Sequence, residues 1–148
     1  MAHSFLIESG SWAIEGHWLE RDGTSMPLRG KTLVSWGKDA WFVMVTKLIV
    51  EGSQYPDIIY RYKGRFENTT QHYSFVMEHS LLGKVEGEGW LAPDSIVQRY
   101  WAQKDPQRRS AFDTLYCIDR QTYHWSSAVI SGQRLTSALE ARLSRNAS

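Results

Sequence analysis

Polar and apolar residues alternate with a period of two along much of the chain. In "IIYRYKGRF", Ile58, Tyr60, Tyr62, Gly64 and Phe66 fall on one face, and Ile59, Arg61, Lys63 and Arg65 on the other. Successive side chains of a strand point to opposite sides of a sheet, so this spacing predicts a half-buried strand. "QHYSFVMEH" repeats the pattern, with Tyr73, Phe75 and Met77 alternating with His72, Ser74 and Glu78. In "RSAFDTLYCI" the two sets are Phe112, Thr114, Tyr116, Ile118 and Ala111, Asp113, Leu115, Cys117. The bulkier first set is taken as the inward one. "AWFVMVTKLIV" is apolar on both faces, so Ala40 to Val50 is either a strand covered on both sides or one that contacts another subunit.

Turn-forming residues punctuate the chain at Asp22-Gly23, Gly37-Lys38-Asp39, Tyr55-Pro56-Asp57, Asn68-Thr69-Thr70, Pro93-Asp94, Lys104-Asp105-Pro106, Asp119-Arg120 and Ser131-Gly132. The segments between them are about 8 to 12 residues long and rich in aromatic and β-branched types, the signature of an all-β sandwich or barrel. About nine or ten strands are expected, in one domain spanning residues 1–148. The last segment, "RLTSALEARLSR", fits two elements. Leu135, Leu139 and Leu143 recur every four residues behind a Ser137/Glu140 capping box, as in an amphipathic helix. Leu135, Leu139, Ala141 and Leu143 equally share one strand face, and a run of hairpins with open edges needs a closing strand. The strand is therefore expected.

Composition narrows the class. The 148 residues carry 17 basic and 16 acidic side chains, so no global field recruits nucleic acid or an acidic membrane. No apolar run approaches the roughly 18 residues of a membrane span. The opening "MAHSFLIESGS" lacks the basic and apolar regions of a secretory leader, which implies a cytoplasmic protein. Cys117 is the one cysteine, so no internal disulfide or zinc knuckle forms, and a small buried side chain is expected there. Seven Trp, seven Tyr and five Phe give many large rings to fill a core or line a pocket.

"ESGSWAIEGHW" places Trp12 and Trp18 on one face of the first strand, with Ile14 and Gly16 between them. Gly10-Ser11-Trp12 there, together with a meander of strands, resembles the calycins, the superfamily of lipocalins, fatty-acid-binding proteins and avidins, and in particular their short bacterial barrels. The resemblance implies an up-and-down β-barrel in which Trp12 plugs one end beneath an arginine from near the C-terminus, Arg142 or Arg145 in "EARLSR". Gly16 is expected where the barrel bends or two backbones approach closely. A second likeness, to the S-type bilin chromophore lyases, rests on Phe5, Glu8, Gly10-Ser11-Trp12 and "QRYWAQ" followed by "EARLSR", although the spacings between do not match.

Candidate chemistry is sparse. The five histidines include no pair at ligand spacing on one element, and His3 lies in a terminus expected to be mobile. His79 and His124 are the two that suit an axial ligand to haem, as some calycin-like barrels hold it. His124 and Ser126 share a strand face without an orienting acid, which favours hydroxyls paired across strands over a catalytic triad. "EGEGW" leaves one sheet face bare at Gly87 and Gly89, a pattern read chiefly as a bulge at a barrel corner and secondarily as room for a ring or a ligand. In "IVQRYWAQ", an inward Arg99 suits an acidic ligand, whereas an inward Gln98 and Tyr100 suit a neutral one. The cations Arg61, Lys63 and Arg65 lie opposite the rings of their strand, which argues against nucleic-acid binding. The expected function is binding of a small, largely apolar molecule inside the barrel, with Trp18, Tyr60, Tyr62, Phe75, Arg99, Tyr100, Phe112 and Trp125 as lining residues. No metal or catalytic residue is assigned and no cofactor is required, haem or a bilin being the outlying options. The rival functions are a bilin-lyase-like or isomerase-like enzyme using the same pocket, and a homodimeric assembly module built on Ala40 to Val50.

Overall fold

A computed structural model describes residues 3–146. It contains ten strands, β1 (Gly10–Glu20), β2 (Ser25–Trp36), β3 (Trp41–Val50), β4 (Ile58–Glu67), β5 (His72–His79), β6 (Gly83–Leu91), β7 (Ser95–Ala102), β8 (Arg109–Asp119), β9 (Thr122–Ser131) and β10 (Arg134–Arg145). Each pairs antiparallel with the next, and β10 returns to β1, closing an up-and-down barrel. Among the described residues no helix is long and apolar enough to cross a membrane.

Closure decides the ambiguous last segment. As a strand, residues 134–145 satisfy the open edges of both β1 and β9, with ladders running from Trp12↔Arg145 to Glu20↔Ser137 and from Arg134↔Ser131 to Ser144↔Thr122. A helix would leave both edges unpaired, and those ladders outweigh local propensity. A register shift between Leu135 and Ser137 turns Leu135 outward, 46% exposed, while Leu139, Ala141 and Leu143 point inward.

The expected parity holds in β4 and β5, where Ile58, Tyr60, Tyr62, Tyr73, Phe75 and Met77 are buried. In β8 it is reversed. Ala111, Asp113, Leu115 and Cys117 face the core, while Phe112, Tyr116 and Ile118 are each about half exposed. The reason lies across the ladders: Ala111 sits opposite Tyr100, and Leu115 opposite Trp125, so the neighbouring rings have already filled the space that a large inward residue would need. No second layer covers β3 either. Phe42, Met44 and Leu48 are buried, but Trp41 and Val43 stand exposed, with the Lys63 ammonium 5.4 Å from the Trp41 ring.

Glycines set how closely the wall packs. A Cβ at Gly16 would lie 2.1 Å from the Glu140 carbonyl oxygen and 2.5 Å from Ala141 Cα, so β1 and β10 could not keep their spacing. At Gly87 and Gly89 it would meet Phe75 Cζ and Tyr73 Cζ, each at 2.3 Å. The β6 ladders run without a register shift, so "EGEGW" is a bed for two rings rather than a bulge. Gly16→Ala is expected to cost about 1–3 kcal/mol, as overpacking typically does, measured as a lower urea midpoint with an unchanged slope.

The end at which β1 begins is sealed. Residues before β1 cross this floor, where Phe5 and Leu6 are buried and Trp12 lies edge-on to Phe5 and Tyr123 at centroid distances of 5.3 and 5.6 Å. The Arg145 guanidinium stands 5.8 Å from the Trp12 ring and donates to Glu8 Oε1 at 2.7 Å. Arg120 pairs with the other oxygen of Glu8. These bonds, led by that from Arg145, hold the Glu8 carboxyl below its ordinary pKa. Arg142 faces outward, so Arg145 is the covering cation. His3 is pinned rather than mobile: its Nε2–H donates to the Ala92 carbonyl and its Nδ1 accepts from the Tyr123 hydroxyl, both at 2.7 Å.

Candidate functional site

With the floor closed, concave space lies at the opposite end, the mouth, where the β5–β6 and β7–β8 turns meet the inner faces of β1, β4, β9 and β10. A cavity of about 220 Å³ lies there, walled by Trp18, Tyr60, Leu81, Leu82, Val129 and Leu139. Its polar lining comes from His79, Arg109, Ser127, Ser137, Thr136 and Gln107, together with Tyr55, whose ring lies 5.8 Å from that of Trp18.

Each polar group is held by its surroundings. His79 ends β5 and is buried, its ring stacked on Tyr60 at 4.3 Å and 26°. Its Nδ1 accepts the backbone N–H groups of Leu81 and Leu82, at 3.0 and 3.3 Å, so the proton of the neutral ring sits on Nε2. Burial, reinforced by the nearby Arg109 cation, pushes the imidazole pKa down to about 4. Arg109 begins β8. Its Nε donates to Asp105 Oδ2 at 2.8 Å, and its Nη1 reaches the Leu81 carbonyl at 3.4 Å. Asp105 also accepts the backbone N–H groups of Arg109 and Gln107. These bonds, with the Arg109 side chain foremost, lower the Asp105 pKa to about 2. Trp18 is only 4% exposed, and its Nε1–H finds no acceptor among the described residues.

Below the pocket the barrel is filled. Tyr73 donates to Gln98 Oε1 and Gln98 Nε2 donates to Asp113 Oδ2, both at 2.7 Å. Asp113 is fully buried and its Oδ1 has no hydrogen bond among the described residues. Desolvation raises its pKa to about 6, moderated by the nearby Ser127, Gln98 and Trp125. Burial first, and the Asp113 charge second, keep Tyr60 and Tyr73 protonated. The void beside this trio measures about 20 Å³, the room of a single water. Ten strands thus do not leave a chamber through the barrel: the space is spent on rings, and the cavity is confined to the mouth.

The expected lining residues therefore separate. Trp18 and Tyr60 border the mouth pocket, and Tyr62 and Trp125 border the inner void. Phe75 and Tyr100 are buried core rings bordering neither. Phe112 and Arg99 do not line the interior at all. Phe112 is 50% exposed, for the packing reason given above, and Arg99 lies outside with its guanidinium 5.0 Å from the Trp101 ring. Gln98 and Tyr100 occupy the inward face of β7 in its place. Of the two histidines that suit haem, His79 borders the pocket, whereas His124 is on the outer face, 3.8 Å from Glu140. Sequence parity gave no role to Arg109. Its one local signal was Asp105 four residues earlier, beside Pro106 in a turn. Asp113 was visible only as a member of the set opposite Phe112.

No family model matches the chain, and none of the curated proteins compared with it does. Its backbone is similar to two solved structures. One is Rv2717c from M. tuberculosis, with a TM-score of 0.71, 15% identity, and coverage of 94% of this chain and 92% of that one. The other is the S-type phycobiliprotein lyase CPES from Guillardia theta, with a TM-score of 0.67, 10% identity, and coverage of 95% and 89%. At these identities the likeness is one of fold, and a ten-stranded antiparallel barrel of calycin-like layout is what it supports.

Proposed function

We propose that the protein binds one small, largely apolar molecule in the mouth pocket. The observation that carries this reading is the mouth cavity itself, whose apolar wall of Trp18, Tyr60, Leu81, Leu82, Val129 and Leu139 surrounds a few placed polar groups. The volume of about 220 Å³ lies below the roughly 300–1,000 Å³ of sites that take drug-sized ligands, so a compact molecule is indicated. Toluene and indole titrated into the protein should each bind once and shift the Trp18 indole N–H resonance, identified by its loss in Trp18→Phe. Val129→Trp, which fills the pocket, should weaken uptake by about tenfold or more. If neither compound moves any mouth resonance in the wild type, the reading fails.

The likeness to a phycobiliprotein lyase supports a second reading, in which the same pocket handles a bilin. The pocket's size speaks for the smaller ligand. Mixing the protein with a bilin should therefore leave the visible spectrum unchanged, and a clear spectral change would favour the lyase-like reading instead.

A further inference from the structure

We propose that the ligand is a compact apolar carboxylate, held at its anionic end by Arg109 and the His79 Nε2–H. This inference rests on the pocket reading above and names the chemical class that the pocket takes. It follows from counting hydrogen-bonding roles. The His79 ring offers the pocket a donor, because its acceptor nitrogen is already occupied by the Leu81 and Leu82 amides. Arg109 presents a fork of donors: Nε and, at 3.5 Å, Nη2 reach Asp105, Nη1 makes a 3.4 Å contact with the Leu81 carbonyl, and each Nη keeps a second N–H for a ligand. Ser127 and Ser137 turn to either role. Two residues whose remaining polar groups can only donate, Arg109 and His79, thus line one cavity, Tyr55 adds a further hydroxyl, and among the described residues no carboxylate lines it.

The neighbouring acids are accounted for. Asp105 is saturated by Arg109 and by two backbone amides, and it serves to hold the guanidinium at the rim. Glu20 lies outside the lining and interacts with Tyr55. Asp113 is one layer deeper, opposite Ser127 in the β8–β9 ladder, and borders the inner void rather than the pocket. A carboxylate supplies the acceptors this donor set lacks, and a planar guanidinium fork matches it in shape as well as charge. The apolar body of the ligand then lies against Leu139, Val129 and the Trp18 ring.

The test uses phenylacetate, phenylacetamide and phenethylamine, which share one body and differ in charge. Calorimetry on the wild-type protein should rank the acid about tenfold tighter than the amide, with the amine weakest. Arg109→Gln should narrow the gap between acid and amide to about twofold. Because Arg109 also braces the turn through Asp105, a second readout uses the unaltered protein: the His79 Nε2–H resonance should move further downfield with phenylacetate than with the amide. Equal affinity for acid and amide, or a preference for the amine, overturns the carboxylate and leaves the pocket reading in place. Failure of all three to bind overturns both.

Discussion

Trp12→Ala is expected to lower the stability of the fold by about 3–5 kcal/mol, the usual range for removing a buried tryptophan ring. A domain of this size is held by only about 5–15 kcal/mol in total, so the variant should sit near the edge of folding at room temperature. The size of the effect follows from position. Trp12 is fully buried, meets Phe5 and Tyr123 edge-on, and underlies Arg145, so its loss opens a cavity between the first strand and the segment that closes the floor. Its indole nitrogen has no acceptor among the described residues, which means that shape and area, not the polar tip, give the ring its value. Trp12→Phe should therefore retain much of the stability. Arg145→Met should cost about 0.5–1 kcal/mol, since the cation lies near the surface. Urea titration of the three variants separates these effects. A Trp12→Ala protein within about 1 kcal/mol of the wild type would show that the floor is not a structural seal.

What could be read in advance depended on whether one face of a strand carried a label. In β4 the row Arg61, Lys63 and Arg65 marks the solvent side, and in β5 Ser74 and Glu78 do the same, so their inward rings were legible. The barrel and the Trp12 floor were legible for a similar reason, since turn residues and a short motif mark them locally, whereas the choice of Arg145 over Arg142 came from the structure. β8 has no such label, because Phe112, Thr114, Tyr116 and Ile118 look more core-like than Ala111, Asp113, Leu115 and Cys117. The deciding information is held by other strands, in the Tyr100 opposite Ala111 and the Trp125 opposite Leu115. Gly87 and Gly89 show the same dependence, since whether bare positions mean a bulge or a bed for rings is settled by Phe75 and Tyr73 on the next strand. Of the mouth site, Trp18 and Tyr60 were visible from parity. Arg109 and the tautomer of His79 were not, because both are fixed by turns whose geometry brings Asp105, Leu81 and Leu82 to them.

Two buried groups carry opposite pH dependences that should nearly cancel. The folded-state pKa of Asp113 is raised from the ordinary 3.8 to about 6, so between these values the folded chain holds a proton that the unfolded chain has released. Stability then falls as pH climbs through that window, by about 3 kcal/mol at about 1.4 kcal/mol per unit. For His79 the folded value is lowered from 6.5 to about 4, and in this range the unfolded chain holds the extra proton. Stability therefore rises with pH, again by about 3 kcal/mol. The wild type should show a nearly flat profile from pH 4 to 6.5. Asp113→Asn removes the falling component and should leave stability climbing by about 3 kcal/mol across the window, while His79→Gln should leave it dropping by a similar amount. Asp105, whose pKa is lowered by its arginine partner, adds losses only below its ordinary 3.8, and Glu8 begins to add its own below 4.5, at the acidic edge of the window. Urea midpoints at half-unit pH intervals test the pair, and a flat profile in both variants would mean that neither group is held in the buried, shifted state described. The same experiment bears on the pocket: a His79 that stays neutral down to pH 4 keeps its Nδ1 on the Leu81 and Leu82 amides, and so presents a fixed Nε2–H donor beside Arg109 throughout the range in which a carboxylate ligand is ionised.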